Sequence, residues 1–118
     1  MSSKLIDIVN INFLPYTRYG DILPGLWWYK LNYCDNTEEG TYLLKVDPGI
    51  STREHFHENF EEFYIISGEL LDTSNQITKI YKKNQYIIYE PNTIHSSFSK
   101  NGCLILVISK GKNIISKL

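Results

Sequence analysis

Apolar and polar residues change places along this chain in short bursts, and no segment keeps the 3.6-residue spacing of a helix over three turns. Residues 5–13, Leu-Ile-Asp-Ile-Val-Asn-Ile-Asn-Phe, alternate in part and predict an edge strand. Pro15, Gly20, Pro24 and Gly25 then mark a loop. Strands are predicted over 26–33, 41–46, 63–66, 69–72, 76–81, 86–89 and 103–109. Turn residues separate them: Asp47-Pro48-Gly49, a break at Ser67-Gly68, Thr73-Ser74-Asn75, Asn84-Gln85, Pro91-Asn92, and a hairpin signal at Asn101-Gly102. Many short strands at regular spacing predict an all-β sandwich or barrel in a single domain over 1–118, with residues 1–25 as an N-terminal edge strand and loop.

Composition narrows the class. A chain of 118 residues, 42% hydrophobic and 14% aromatic, is able to bury one core. The formal net charge is -1, from 12 basic and 13 acidic side chains, with no basic stripe, so nucleic acid is not an expected partner. Lys79, Lys82 and Lys83 read as a solvated strand edge. No apolar run reaches the ~18 residues a spanning helix needs, and Asp7, Asn10 and Asn12 interrupt any secretory leader, so no membrane partner is expected and the cytoplasm is the expected location. Cys34 and Cys103 lack metal or redox spacing, and Cys103 sits in an apolar run as a small buried hydrophobe.

The three histidines of the chain are His55, His57 and His95. On a strand, His55 and His57 point to one face with backbones about 6.7 Å apart, close enough for two imidazoles to close on one ion. Glu61 follows four residues after His57 and offers a carboxylate, while His95 must arrive on a strand that folds back. Nitrogen ligands with one hard oxygen suit Zn, Fe(II), Mn(II), Ni(II) or Co(II). Glu58 and Glu90 are alternative carboxylates. Phe63 and Ile65 share the parity of Glu61 and are expected inside a barrel, with Glu62 on the solvated side. Arg53 shares the parity of His55 and is open to two readings, an interior contact to an anionic ligand or a surface position.

From Gly49 through His55, His57 and Glu61 to Gly68, the chain resembles the first motif of the cupin superfamily, Gly-x5-His-x-His-x(3–4)-Glu-x6-Gly, with every fixed position occupied. The second cupin motif is matched in part. His95 holds its histidine position, Asn84 and Asn92 fall on its glycine positions, Glu90 takes the proline position with Pro91 one residue late, and Ser99 stands where asparagine would follow. Asn tolerates a left-handed backbone better than most residues, which suits both replacements. Over roughly residues 40–110 the pattern is similar to the ChrR-like cupin of a family of anti-sigma factors and to the small acetylacetone-cleaving dioxygenases.

That resemblance implies a double-stranded β-helix, or jelly-roll, barrel holding one divalent metal ion (Zn, Fe(II), Mn or Ni) on His55, His57, Glu61 and His95. It also implies a small-molecule ligand or substrate in the barrel and a homodimer. Two functions stay open: a non-haem dioxygenase acting on a small dicarbonyl or enolic compound, and a non-catalytic zinc-binding cupin with a structural or sensing role. The first 40 residues read as strand and loop, so the sigma-binding helical domain of the ChrR-like relatives has no counterpart there and a direct anti-sigma role is not expected.

Overall fold

Alternation of buried and exposed side chains builds the architecture strand by strand. The computed structural model describes residues 2–115; Met1 and the last three residues of the expected domain lie outside the described residues. The strands are β1 (Leu14–Pro15), β2 (Leu26–Cys34), β3 (Glu39–Val46), β4 (Ile50–Ser51), β5 (His55–His57), β6 (Glu61–Ser74), β7 (Ile77–Lys82), β8 (Tyr86–Tyr89), β9 (Ile94–Ser99), β10 (Cys103–Lys110) and β11 (Asn113–Ile115), with no helix among the described residues. They pair antiparallel in the order β1-β2-β3-β10-β6-β9-β5-β11, with β4 on β9 and both β7 and β8 on β6. The chain is thus all-β, as its pattern predicts, and folds as the jelly roll that the resemblance implies. Strand β10 shows why: Cys103, Ile105 and Val107 are buried, while Leu104, Leu106 and Ile108 between them are half-buried. No helix of the described residues is long and apolar enough to cross a membrane.

Strand β6 joins the two halves of the barrel. Its first half, from Glu61, pairs with β8 and β10, and its second half, to Ser74, pairs with β7 and β9. The predicted break at Ser67-Gly68 is instead a bulge inside one continuous strand, marked by a register shift against β10 between Leu104 and Ile105. Gly68 sits at φ +78, and a Cβ there would overlap the Gly102 carbonyl oxygen. The two asparagines expected to stand in for glycine do so: Asn84 has φ 68 and Asn92 has φ 67.

Two expectations are corrected. Residues 5–13 form no strand; Asp7 accepts hydrogen bonds from the Val9 backbone N–H and the Asn10 side chain, closing a turn. Leu5 is 95% and Val9 85% exposed, so the apolar side that alternation implied is left uncovered over its first half, and the expected N-terminal edge strand is absent. The turn at Asn101-Gly102 does not close a hairpin either. It carries the chain from β9 to β10, and β10 pairs with β3 and β6 rather than with β9.

Replacement of Gly68 by alanine should destabilise the fold by at least about 2 kcal/mol, combining the left-handed penalty with the clash at Gly102. Urea denaturation measures it, and a variant as stable as the parent would show that the bulge tolerates a side chain.

Candidate metal centre

Strand β5 places His55 and His57 on one face because they are two apart, and both are buried with Phe56 between them pointing away. His95 on β9 is the cross-strand partner of His55 and is equally buried. The three rings therefore meet inside the barrel, their possible ligand atoms all within 4.8 Å of one another.

Each ring is held from behind through Nδ1. His55 Nδ1–H donates to the Arg53 carbonyl at 2.7 Å, His57 Nδ1–H to Asn113 Oδ1 at 2.5 Å, and His95 Nδ1–H to Asp72 Oδ1 at 3.0 Å. All three partners are acceptors, so each Nδ1 carries the proton and each Nε2 presents a lone pair. Those lone pairs converge. His57 Nε2 and His95 Nε2 are 2.8 Å apart, and His55 Nε2 is buried with no hydrogen-bond partner. Two lone pairs do not face each other at that distance without a cation or a proton between them, so the donor set fits a divalent ion such as Zn or Fe(II).

Asp72 is the centre's main support. Its Oδ1 accepts from His95, from Tyr89 OH at 2.8 Å and from Ser97 Oγ at 2.8 Å, while Oδ2 accepts from Ser74 Oγ at 2.5 Å. Tyr89 also stacks on the His95 ring, with centroids 4.0 Å apart. Asn113 on β11 bridges in the same way, since its Nδ2 donates to Tyr19 OH at 3.0 Å.

Glu61 is buried on the interior face with Phe63 and Ile65, as its parity predicts, and lies against His57. Its Oε2 is 3.0 Å from His57 Nδ1 and 3.5 Å from Arg18 Nη1. Neither contact has hydrogen-bond geometry at Oε2, since the His57 proton points to Asn113. Glu58 and Glu90 are exposed, and Glu62 on the opposite face pairs with Tyr86 OH. Arg53 resolves to the rim: it is 43% exposed, 3.4 Å from Asp21, and still lines the cavity beside the histidines.

Burial dominates the electrostatics. It pushes the His55 imidazolium down to about 3, helped by the neighbouring His95 and His57. Burial would raise Glu61, but the His57 imidazole 3.0 Å away and the Arg18 guanidinium outweigh it and hold the carboxyl below its ordinary range. Asp72 is likewise lowered, burial being overcome by the His95 hydrogen bond and by the Ser74 and Ser97 hydroxyls. Beside the cluster lies a cavity of about 20 Å³, lined by Tyr16, Tyr19, Leu23, Arg53, His55 and Glu61 among others. That holds about one water molecule.

The sequence signalled the histidines and Glu61 but not Arg18, Asp72 or Asn113. Asp72 carries a trace of a signal, because it shares the parity of buried Leu70; Arg18 and Asn113 lie in stretches without a pattern.

The sequence of residues 5–112 matches the family model described as the ChrR cupin-like domain. Among curated proteins, none matches. Solved structures similar in fold include KdgF from Halomonas sp. (TM-score 0.71, 13% identity, 94% of this chain and 96% of that one covered). They include an acetylacetone dioxygenase from Acinetobacter johnsonii (TM-score 0.70, 14% identity, 98% and 75% covered). The polyketide cyclase RemF from Streptomyces resistomycificus is a third (TM-score 0.76, 16% identity, 99% and 87% covered).

Two outcomes follow from this geometry. Asp72→Asn should weaken zinc binding about 10- to 100-fold in a chelator competition, because the neutral amide loses the carboxylate charge behind His95 and turns a donor group toward one of the donors Asp72 now accepts from; unchanged affinity would remove Asp72 from the centre. His55 is neutral when folded but protonates at its ordinary value near 6.5 when unfolded, so between about pH 6.5 and 3 the unfolded chain binds more protons. Stability of chelator-treated protein should therefore fall on acidification below pH 6.5, by up to about 1.4 kcal/mol per pH unit from this group. Urea midpoints that stay level from pH 7 to 5 would contradict it.

Proposed function

We propose that this chain, which belongs to the ChrR cupin-like domain family, holds one divalent metal ion on His55, His57 and His95 and acts with it as an enzyme on a small oxygenated compound. The observation that carries this reading is the locking of three Nδ1 protons by outside acceptors, which aims three Nε2 lone pairs at one point. Three protein ligands with room for about one water beside them is the arrangement of an open, catalytic metal site rather than a closed structural one. Bound there, Fe(II) would supply O₂ chemistry and Zn or Mn would act as a Lewis acid.

The chain's own residues contribute the rest. Asp72, Asn113 and the Arg53 carbonyl orient the ligands, and Tyr19, Leu23, Phe63 and Leu70 make the wall beside them largely apolar and exclude water. The reaction proposed is oxidative cleavage of a small dicarbonyl or enolic compound. Its support is the fold shared with an acetylacetone dioxygenase, an analogy of architecture. A substrate larger than water enters only if Tyr19 and Leu23, in the segment between β1 and β2, move aside.

A second reading has its own support. A cavity of about 20 Å³ also suits a site that is closed by Glu61 and works in structure or sensing, with zinc adding to folding stability.

Elemental analysis of anaerobically purified protein, followed by oxygen uptake with a panel of β-dicarbonyls, separates the two. Stoichiometric iron and substrate-dependent uptake are expected, with His57→Ala losing the metal. Stoichiometric zinc with no uptake after iron reconstitution would establish the second reading, and a fully loaded His57→Ala would overturn the site itself.

A further inference from the structure

The two arginines of the chain, Arg18 and Arg53, are held in opposite ways. Arg18 is built in: its side chain is 0% exposed, and its guanidinium donates to Glu38 Oε1, Tyr42 OH, Ser109 Oγ and the Gly111 carbonyl at 3.0, 2.8, 2.9 and 2.8 Å. Arg53 is presented at the rim, where it lines the cavity together with His55 and Glu61. Its hydrogen bond to Asp21 Oδ2 is 3.4 Å long, and that carboxylate is itself 59% exposed. The contact engages one of the five N–H groups a guanidinium carries, and an exposed ion pair of this length is screened and weak.

The backbone beneath Arg53 is fixed on both sides. Before it, Thr52 N donates to the Ser97 carbonyl at 2.8 Å and Thr52 Oγ1 accepts from Ser97 N at 2.9 Å. At Arg53 itself, the carbonyl accepts from His55 Nδ1–H at 2.7 Å. The residue is therefore anchored beside the metal centre while its charged end stays free to turn. It is the one Lys or Arg among the described residues that line this cavity. Glu61, the acid on the same lining, has Arg18 3.5 Å away as its own cationic neighbour. The charge at the rim is left for an anion that enters.

Resting on the metal centre proposed above, we infer that Arg53 is a substrate-binding residue that selects, among small dicarbonyl or enolic compounds, those carrying a carboxylate. The planar fork of a guanidinium takes a carboxylate by two parallel hydrogen bonds, which the single long contact of Asp21 does not match. The ligand carboxylate replaces Asp21, and the exchange also unties the wall of the cavity. Asp21 lies between Tyr19 and Leu23, the two residues that must move before anything larger than water enters.

Calorimetric titration of the zinc-loaded full chain tests this, using the β-diketone acids acetylpyruvate and succinylacetone, each against its methyl ester. At least one acid should bind wild-type protein about 10-fold or more tightly than its ester. Arg53→Met should abolish that advantage with the zinc content unchanged, and Arg53→Gln reads the same ratio should the Met variant fail to fold. Asp21→Asn, which removes the competing carboxylate, should widen the advantage about 2- to 5-fold. An arginine that only tied down the wall would shift acid and ester together and leave their ratio unchanged.

A smaller advantage for both acids on wild-type protein, no binding by any of the four compounds, or an advantage that persists without the Arg53 guanidinium would overturn this assignment alone, since the centre would still hold zinc. A wild type that takes up no zinc would overturn the metal centre and this assignment with it.

Discussion

An imidazole has two nitrogens and, when neutral, one proton, and the whole centre depends on where that proton sits. In this barrel the choice is made from outside the cluster: a backbone carbonyl at Arg53, an amide oxygen at Asn113 and a carboxylate at Asp72 each accept a hydrogen bond from the Nδ1–H of one histidine. Without those acceptors the rings would be free to flip or change tautomer, and the 2.8 Å approach of His57 and His95 would have no consistent meaning. The acceptors come from three separate places, the β4–β5 connection, β11 and β6, so the donor set forms only when the barrel is closed.

Strand β6 is the element that makes closure and chemistry the same event. Its first half presents Glu61, Phe63 and Ile65 inward on odd positions, and its second half presents Leu70 and Asp72 inward on even ones. The bulge near Gly68 shifts the parity between the two halves. One strand thereby delivers two buried carboxylates to the histidines, Glu61 against His57 and Asp72 behind His95. Asp72 is saturated with hydroxyl and imidazole donors, while Glu61 Oε2 faces His57 Nδ1 at 3.0 Å and Arg18 Nη1 at 3.5 Å. The two acids are equally buried and differently employed because their partners differ.

Membership in the ChrR cupin-like family and the likeness to KdgF, a dioxygenase and a cyclase place the fold securely, at identities of 13–16%. Such a fold supports many chemistries, and the site must separate them. Here the separation comes down to a small number of contacts. They are a cavity the size of one water, walled in part by Tyr19 and Leu23, and the His57 and Arg18 groups that face the acid of the motif.

What the sequence by itself determined was whatever depends on short spacing. The period of two gave the strands, the His-x-His pair and the inward parity of Glu61, Phe63 and Ile65; left-handed tolerance placed Asn84 and Asn92 correctly. Alternation misled at residues 5–13, because a strand needs a neighbour as well as a pattern, and Asp7 supplied a local turn instead. Only the tertiary structure decided which groups stand behind the histidines and that Glu61 faces Arg18, since Arg18, Asp72 and Asn113 reach the site from positions up to 95 residues apart. Contacts of that kind are set by barrel closure and register, and the energy that selects them is burial of charge, which no local pattern along the chain encodes.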